Sequence, residues 1–162
     1  MKLTAMDLER RGACEDQVKR FRDLWGEGPI TITAALCMEH PELNYRWAAQ
    51  HLLPWFLRDE YERQDAPLRD EFEHQRKLLW DEHDRQDAPL WAEYKRRCEP
   101  LRVEHQSAAQ LAEFERQREP LWVNYKRQRA PLRGELGRQL TLLHTEYGCQ
   151  CAVLFGTLAE RV

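Results

Sequence analysis

The stretch APLRDEFEHQRKLLWDEHDRQDAPLWAEYKRR, residues 66–97, decides the fold of this chain because it repeats itself every 11 residues. Each unit contains a leucine at the same place, and the leucine spacing continues outward in both directions. Because 11 residues are close to three helical turns, each leucine returns to nearly the same side of a helix. Ten leucines follow this spacing, apart from two intervals of 10 residues: Leu57, Leu68, Leu79, Leu90, Leu101, Leu111, Leu121, Leu132, Leu143 and Leu154. The pattern predicts long helices over residues 56–162.

Two further positions of the unit are expected on the same helical face as the leucine. Four residues after most leucines stands an aromatic, a histidine or another leucine, as at Tyr61, Phe72 and His83. Seven residues after most leucines stands a glutamine, as at Gln64 and Gln75. Either these glutamines lie at the edge of the stripe and reach water, which the usual exposure of polar side chains favours, or they form a buried ladder that sets the register.

Proline precedes the leucine in five units: Pro67, Pro89, Pro100, Pro120 and Pro131. A proline inside a helix removes one backbone hydrogen bond and costs about 3 kcal/mol. Either the helices run through the prolines and bend there, or each proline opens a new short helix, with Asp65 and Asp87 as N-caps. The leucine phase survives across nearly all units, which favours continuous, kinked helices.

Residues 1–55 lack the repeat and predict a compact helical module. Thr4, Asn44 and either Thr31 or Thr33 are residue types that cap the first turn of a helix. Gly12 and the turn at residues 26–29 are suited to separate short helices. We therefore expect two domains, residues 1–55 and residues 56–162.

The charges of the repeat are unevenly divided along the chain. Residues 57–93 hold 12 acidic and 6 basic side chains, whereas residues 116–145 hold 7 basic and 2 acidic ones. Attraction between the two arms favours an antiparallel hairpin with a turn near residues 105–110, where the shortened intervals fall. A continuous rod that forms a homodimer through its leucine side is the alternative. The predicted fold class is all-α: a small helical module, then long proline-kinked helices in an antiparallel hairpin or coiled coil.

Composition predicts a soluble protein of a reducing compartment. The 162 residues are 33% charged and 42% hydrophobic, with a formal net charge of -3. No stretch approaches the roughly 18 apolar residues of a membrane helix, and the N-terminus lacks the apolar core of a secretory signal. The odd number of cysteines, five, does not suit a disulfide framework. We expect a cytoplasmic protein with no membrane partner.

The sequence contains no signature of catalysis. It has no glycine-rich phosphate loop, no HExxH and no GxSxG. Cys149 and Cys151 near His144 resemble half a zinc site, but residues two apart point to different sides of a helix. We therefore expect no enzyme activity, no cofactor and no metal.

One set of candidate protein-binding residues directly follows the repeat leucine, at the margin of the apolar stripe. Tryptophan and arginine are the residues richest in interface hot spots. The alternative is that the tryptophans simply widen the helical core. The set is Trp80, Trp91, Trp122, Arg69, Arg102 and Arg133.

A second candidate surface is basic and would bind nucleic acid. Its cations are interleaved with Trp122 and Tyr125, which suits phosphate contacts together with base stacking. The acidic balance of the whole chain instead favours pairing of these cations with the acidic arm. The residues are Arg116, Arg118, Lys126, Arg127, Arg129 and Arg138.

Several stretches resemble parts of known proteins. GACEDQVKRFRDLWGEG (residues 12–28), ITAALC (32–37) and NYRWAAQHLL (44–53) resemble a small N-terminal module of uncharacterised proteins from phages and other bacterial mobile elements. APLWAEY (88–94) and EPLWVNY (119–125) are similar to repeats of related phage proteins. The family carries no established activity, so no functional residue is transferred.

The resemblance implies a phage-encoded protein that binds host machinery inside the bacterial cell. Inhibitors of bacterial defence complexes, such as anti-CRISPR proteins, are one such class, and a CRISPR effector or another host or phage complex would then be the partner. A nucleic-acid-binding accessory protein and a structural coiled-coil phage component are the alternatives.

Overall fold

The computed structural model describes residues 1–101 and 108–162, and almost all of their regular structure is helical. The all-α fold class, a small helical module followed by long helices, is confirmed. The elements are β1 (Lys2–Leu3), α1 (Ala5–Arg10), α2 (Glu15–Trp25), β2 (Ile30–Thr31), α3 (Ala34–Met38), α4 (Tyr45–Leu52), α5 (Trp55–Cys98) and α6 (Ala108–Ala159).

Helices α1, α3 and α4 begin where the capping residues predict. The Thr4 side chain accepts a hydrogen bond from the backbone of Asp7, whose carboxylate in turn accepts one from the Thr4 backbone. Thr33, not Thr31, caps α3, and Asn44 caps α4. Thr31 instead lies in β2, which pairs antiparallel with β1. Two-residue strands are too short to show an alternating pattern, so the sequence does not predict them.

The long helices run through the prolines. Pro67 and Pro89 lie inside α5, and Pro120 and Pro131 lie inside α6. Of the five repeat prolines, only Pro100 lies outside the long helices, in a 3-10 turn that follows α5. The alternative of a new helix at each proline is therefore wrong at these four positions, and neither aspartate is an N-cap. Bending at the prolines stays a prediction.

The buried stripe differs from the predicted one. All six repeat glutamines, Gln64, Gln75, Gln86, Gln128, Gln139 and Gln150, are exposed, so the buried ladder is wrong and the water-exposed alternative is confirmed. The residue eight positions after the leucine takes their place, as Asp65 and Cys151 show by being buried. Positions zero, four and eight of the unit therefore form the stripe, and the fourth position is its centre. The reason is geometric: eight residues return closer to the direction of the fourth than seven do.

The chain forms two compact units. Unit 1 comprises Met1–Glu73 and Leu143–Val162, and unit 2 comprises His74–Leu142. Within each unit α5 and α6 run antiparallel, because residues later in α5 meet residues earlier in α6. The domain boundary after residue 55 stays a prediction. Of the predicted turn near residues 105–110, residues 105–107 lie outside the described residues, and residues 108–110 belong to α6.

Unit 1 contains the larger core. Leu57, Tyr61 and Phe155 of the long helices are almost fully buried among residues of the module. Two glycines permit the close approach of α6. A Cβ atom at Gly156 would lie 2.4 Å from the Cα of Ala34, and one at Gly148 would lie 2.5 Å from a backbone oxygen. The fit between α6 and the module therefore requires glycine at these positions.

Candidate functional site

Two heptapeptides of closely similar sequence meet in unit 2. PLWAEYK (residues 89–95) lies in α5 and PLWVNYK (residues 120–126) lies in α6. Tryptophan and tyrosine are three residues apart in each copy, so their rings lie side by side on one helix face. The antiparallel pairing of the helices brings the two faces together.

We call Trp91, Tyr94, Trp122 and Tyr125 the ring cluster. Within each helix the ring centroids are 5.2 Å apart for Trp91 and Tyr94 and 5.3 Å apart for Trp122 and Tyr125. Across the helices Trp91 lies 5.5 Å from Tyr125, and Tyr94 lies 5.4 Å from Trp122. The tyrosines are 5.5 Å apart at the centre. Because both tryptophans contact the opposite tyrosine in the same way, the cluster has an approximate local two-fold symmetry.

Cations lie over three of these rings. The ammonium of Lys95 is 5.8 Å from the Trp91 centroid, and that of Lys126 is 5.6 Å from the Trp122 centroid. The Arg129 guanidinium is 5.9 Å from the Tyr125 centroid. The electron-rich ring faces attract these charges, each contact contributing about 0.5–1 kcal/mol at an exposed site. The cluster therefore carries positive charge at its edges.

A carboxylate fixes the centre of the cluster. The Tyr125 hydroxyl donates to both oxygens of Asp87 at 3.2 Å, and the Nε atom of Arg129 lies 3.1 Å from one of them. Burial first, and then the charge of Asp87, raises the pKa of Tyr125 above its usual value. The tyrosine thus stays protonated and remains a hydrogen-bond donor, which holds the ring in place.

The tryptophans differ in exposure. Trp91 is 40% exposed and Trp80, one repeat unit earlier on the same side of α5, is 48% exposed. Trp122 is only half-buried and packs against both tyrosines. The rings therefore join the helix pair and, at the same time, leave a considerable aromatic area open to solvent.

The predicted arginine partners do not gather at this cluster. Arg69 belongs to unit 1, where it lines a polar cavity, and Arg133 is exposed on α6 in unit 2. Arg102 lies outside the described residues. Of the six predicted protein-binding residues, the structure brings together Trp91 and Trp122.

Most of the predicted nucleic-acid-binding cations contact their own chain. Arg116 pairs with Glu113 and Arg138 with Glu135, each three residues away on α6. Arg118 lies 5.6 Å from the Phe114 ring centroid. Lys126 and Arg129 contact the ring cluster as described above, and Arg127 is exposed on α6. The basic segment is thus only in part available to a phosphate backbone.

Tyr94, Tyr125 and Asp87 belong to the site but were not predicted as site residues. The sequence does hold a signal for them: the heptapeptide occurs once on each side of the predicted turn. Antiparallel pairing would bring two such copies face to face. The hydrogen bond to Asp87 follows from the eighth position of the unit being buried, which the glutamine pattern obscured.

Within residues 1–101 and 108–162, no group of three or more His, Cys, Asp or Glu side chains is placed to hold a metal ion. In that part of the chain, no helix combines the length and apolarity that crossing a membrane requires. Comparison with known proteins finds no matching family model, no matching curated protein and no matching solved structure.

Proposed function

We propose that this chain is a non-catalytic protein-binding protein, and that Trp80 and the ring cluster of unit 2 form its binding surface. The observation that supports this proposal is the exposure of Trp80 and Trp91, each at two-fifths or more, beside a well-packed set of rings. A large apolar ring left open to water is a cost that a partner surface would relieve.

The ring cluster also suits binding because its rings are held before a partner arrives. Trp91 contacts both tyrosines of the cluster, and Tyr125 is tied to Asp87. A side chain that is already ordered loses less conformational entropy on association. A tryptophan that acts as a hot spot in such a setting commonly contributes about 2 kcal/mol or more to the free energy of binding.

We further propose that the partner is a component of a bacterial defence complex, such as a CRISPR effector, which this chain inhibits from the host cytoplasm. The support for this finer proposal is the resemblance to phage proteins of residues 12–28, 32–37 and 44–53 and of APLWAEY (88–94) and EPLWVNY (119–125). This second proposal concerns the identity of the partner, whereas the first concerns the surface that binds it.

Affinity capture tests both proposals. The full chain is used as bait in bacterial hosts that carry defined defence systems, and the captured complex is then reconstituted from purified components. Stoichiometric reconstitution with a defence complex, together with loss of that complex's activity, is the expected result. Reconstitution with a different protein would contradict the finer proposal alone, and the absence of any protein partner would contradict both.

A second candidate function, nucleic-acid binding, has one observation in its favour. Lys126 lies over the exposed side of the cluster beside Arg127, so cations and aromatic rings are combined as in proteins that stack on single strands. Gel retardation with single-stranded DNA and RNA tests it. Binding that falls steeply with salt and is lost in the Lys126→Glu, Arg127→Glu double variant would establish it. Assembly into large particles by light scattering would instead indicate a structural phage component.

A further inference from the structure

A buried carboxylate in unit 1, that of Asp65, has a more distant cation than its counterpart in unit 2, that of Asp87. Asp65 and Asp87 occupy the same position of the repeat, two units apart, and each accepts a hydrogen bond from a tyrosine of α6. Beside Asp87 stands Arg129, whose Nε atom lies 3.1 Å away. The corresponding residue beside Asp65 is Cys151, which carries no positive charge and whose Sγ atom is 3.5 Å from Oδ1.

Asp65 is also the more deeply buried of the two acids. Its side chain is 3% exposed, against 15% for Asp87. Its Oδ1 atom accepts the hydrogen bond from the Tyr147 hydroxyl at 3.0 Å. Among the described residues, the cation nearest to its Oδ2 atom is the Nε atom of Arg46 at 3.9 Å, from a side chain that is half exposed. A buried charge is costly unless it is closely paired, so Oδ2 is short of a donor.

A polar cavity lies beside this carboxylate. Its volume is about 290 Å³, and it is lined by Arg46 and Gln50 of α4 and by Tyr61, Glu62, Asp65, Ala66 and Arg69 of α5. Tyr61 is 1% exposed, and its hydroxyl has no partner better than the weakly hydrogen-bonding thiol of Cys151 among the described residues. A buried hydroxyl without a strong partner, beside a carboxylate oxygen whose nearest cation is 3.9 Å away, indicates a place for a bound polar group.

The charges around the cavity define the chemistry of that group. Oδ2 of Asp65 requires a donor, and a positive one would balance its charge best. The lining carries two guanidiniums, Arg46 and Arg69, and two carboxylates, Asp65 and Glu62, so a ligand with one positive and one negative group matches it better than an ion of a single sign. The volume is sufficient for a small organic ligand of this kind.

We propose that this cavity binds a small zwitterion, a primary ammonium joined to a carboxylate as in a free α-amino acid. The ammonium donates to Asp65, and the carboxylate is held by Arg46 and Arg69. The site lies within unit 1 and is independent of the protein binding proposed for unit 2.

Calorimetric titration of the full chain at constant ionic strength tests the proposal with three probes. L-Alanine carries both charges, ethylammonium carries only the positive one and propionate only the negative one. We expect saturable binding of L-alanine and at least about tenfold weaker binding of each half-ligand. The absence of saturable L-alanine binding would overturn the proposal. Equal binding of propionate or of ethylammonium would overturn it as well, because the site would then recognise a single charge.

Variants locate the site. Asp65→Asn should weaken L-alanine binding by about tenfold or more, and Asp87→Asn, in the corresponding layer of unit 2, should leave it unchanged. Because Asp65→Asn also removes a buried charge on which the fold depends, Arg69→Gln at the cavity wall is the second variant, and it should weaken binding of L-alanine and propionate but not of ethylammonium. Unchanged L-alanine affinity in a folded Arg69→Gln variant would contradict the proposed role of the carboxylate.

Discussion

Asp65 and Asp87 show how one repeat position acquires two different environments. Each lies on the buried stripe of α5 and accepts a hydrogen bond from a tyrosine of α6. Asp87 has an arginine close by in a layer made of two helices, whereas Asp65 lies against the core of the module with a cysteine in the arginine's place. The repeat thus determines which residues face each other. The surroundings of each aspartate determine whether α6 places a cation beside it.

The same contrast extends to the two units as wholes. In unit 1 the long helices pack on the module, although Trp55 and Phe56 at the start of α5 are exposed, and close backbone approach at Gly156 leaves no room for a side chain. In unit 2 fewer side chains are buried, and Trp80 and Trp91 remain exposed. We therefore expect stability to be concentrated in unit 1 and to depend little on the exposed rings of unit 2.

The largest expected change in the free energy of unfolding comes from replacing glycines of α6 by alanine, with one glycine chosen in each unit. Gly156→Ala places a Cβ atom 2.4 Å from a backbone atom of Ala34, so we expect a loss of about 3 kcal/mol in the free energy of unfolding. Gly137→Ala, where nothing lies within 4 Å, should instead stabilise by about 0.5–1 kcal/mol because alanine favours the helix. Denaturant unfolding followed by circular dichroism measures both. Equal effects would contradict the contrast between the units.

Replacing Asp65 or Asp87 by alanine should give the next largest change in the free energy of unfolding. Asp65→Ala leaves the Tyr147 hydroxyl without its acceptor in a closed environment, and we expect a loss of about 2–3 kcal/mol. Asp87→Ala should cost only about 1–2 kcal/mol, because the Nε atom of Arg129 that loses its carboxylate is buried but the side chain as a whole is 34% exposed and can turn toward water. The same unfolding measurement compares them, and a larger loss for Asp87→Ala would reverse the proposed order.

Alkaline pH should weaken unit 1 through Cys37. Burial raises the pKa of this thiol from 9.0 to about 11. The folded state therefore holds the proton more tightly than the unfolded state, so this stabilisation is complete below pH 9 and is lost as the pH rises toward 11. We expect a decline on the order of 1–2 kcal/mol over that interval. The Cys37→Ala variant should show a shallower decline, and an identical pH profile would exclude the thiol as the cause.

Trp80→Ala should have the smallest effect on stability. The side chain is 48% exposed, and its described ring contact is with His83 at 5.9 Å. We expect a change below about 1 kcal/mol in the free energy of unfolding. Phe72→Ala in unit 1, which removes a buried ring, is the matched comparison and should cost about 3 kcal/mol. Similar losses for both would mean that Trp80 supports the fold.

The sequence predicts the helices better than it predicts the contacts. The leucine phase correctly indicates helices that continue through Pro67, Pro89, Pro120 and Pro131, because packing of a periodic face outweighs the local cost of proline. Antiparallel pairing follows from the charges of the two arms. These features depend on patterns that extend over many residues, which is why they are visible without a structure.

The features that the sequence did not predict depend on small angles and on distant residues. Seven and eight residues differ by one helical step, and that step moves glutamine to solvent and Asp65 into the core. The cavity beside Asp65 requires Arg46 of α4, which the repeat does not include. The ring cluster was half predicted, since its tryptophans were identified as candidates and its tyrosines as stripe residues.

The central claim is that the exposed rings of unit 2 bind a protein and are not needed for folding. Calorimetric titration of the reconstituted partner against the full chain tests it most directly, with the Trp80→Ala, Trp91→Ala double variant and with Val123→Ala, an exposed apolar residue next to the cluster, as control. We predict that the double variant folds but binds at least about a hundredfold more weakly, while Val123→Ala binds like the unmodified chain. A folded double variant that retains full affinity would contradict the claim.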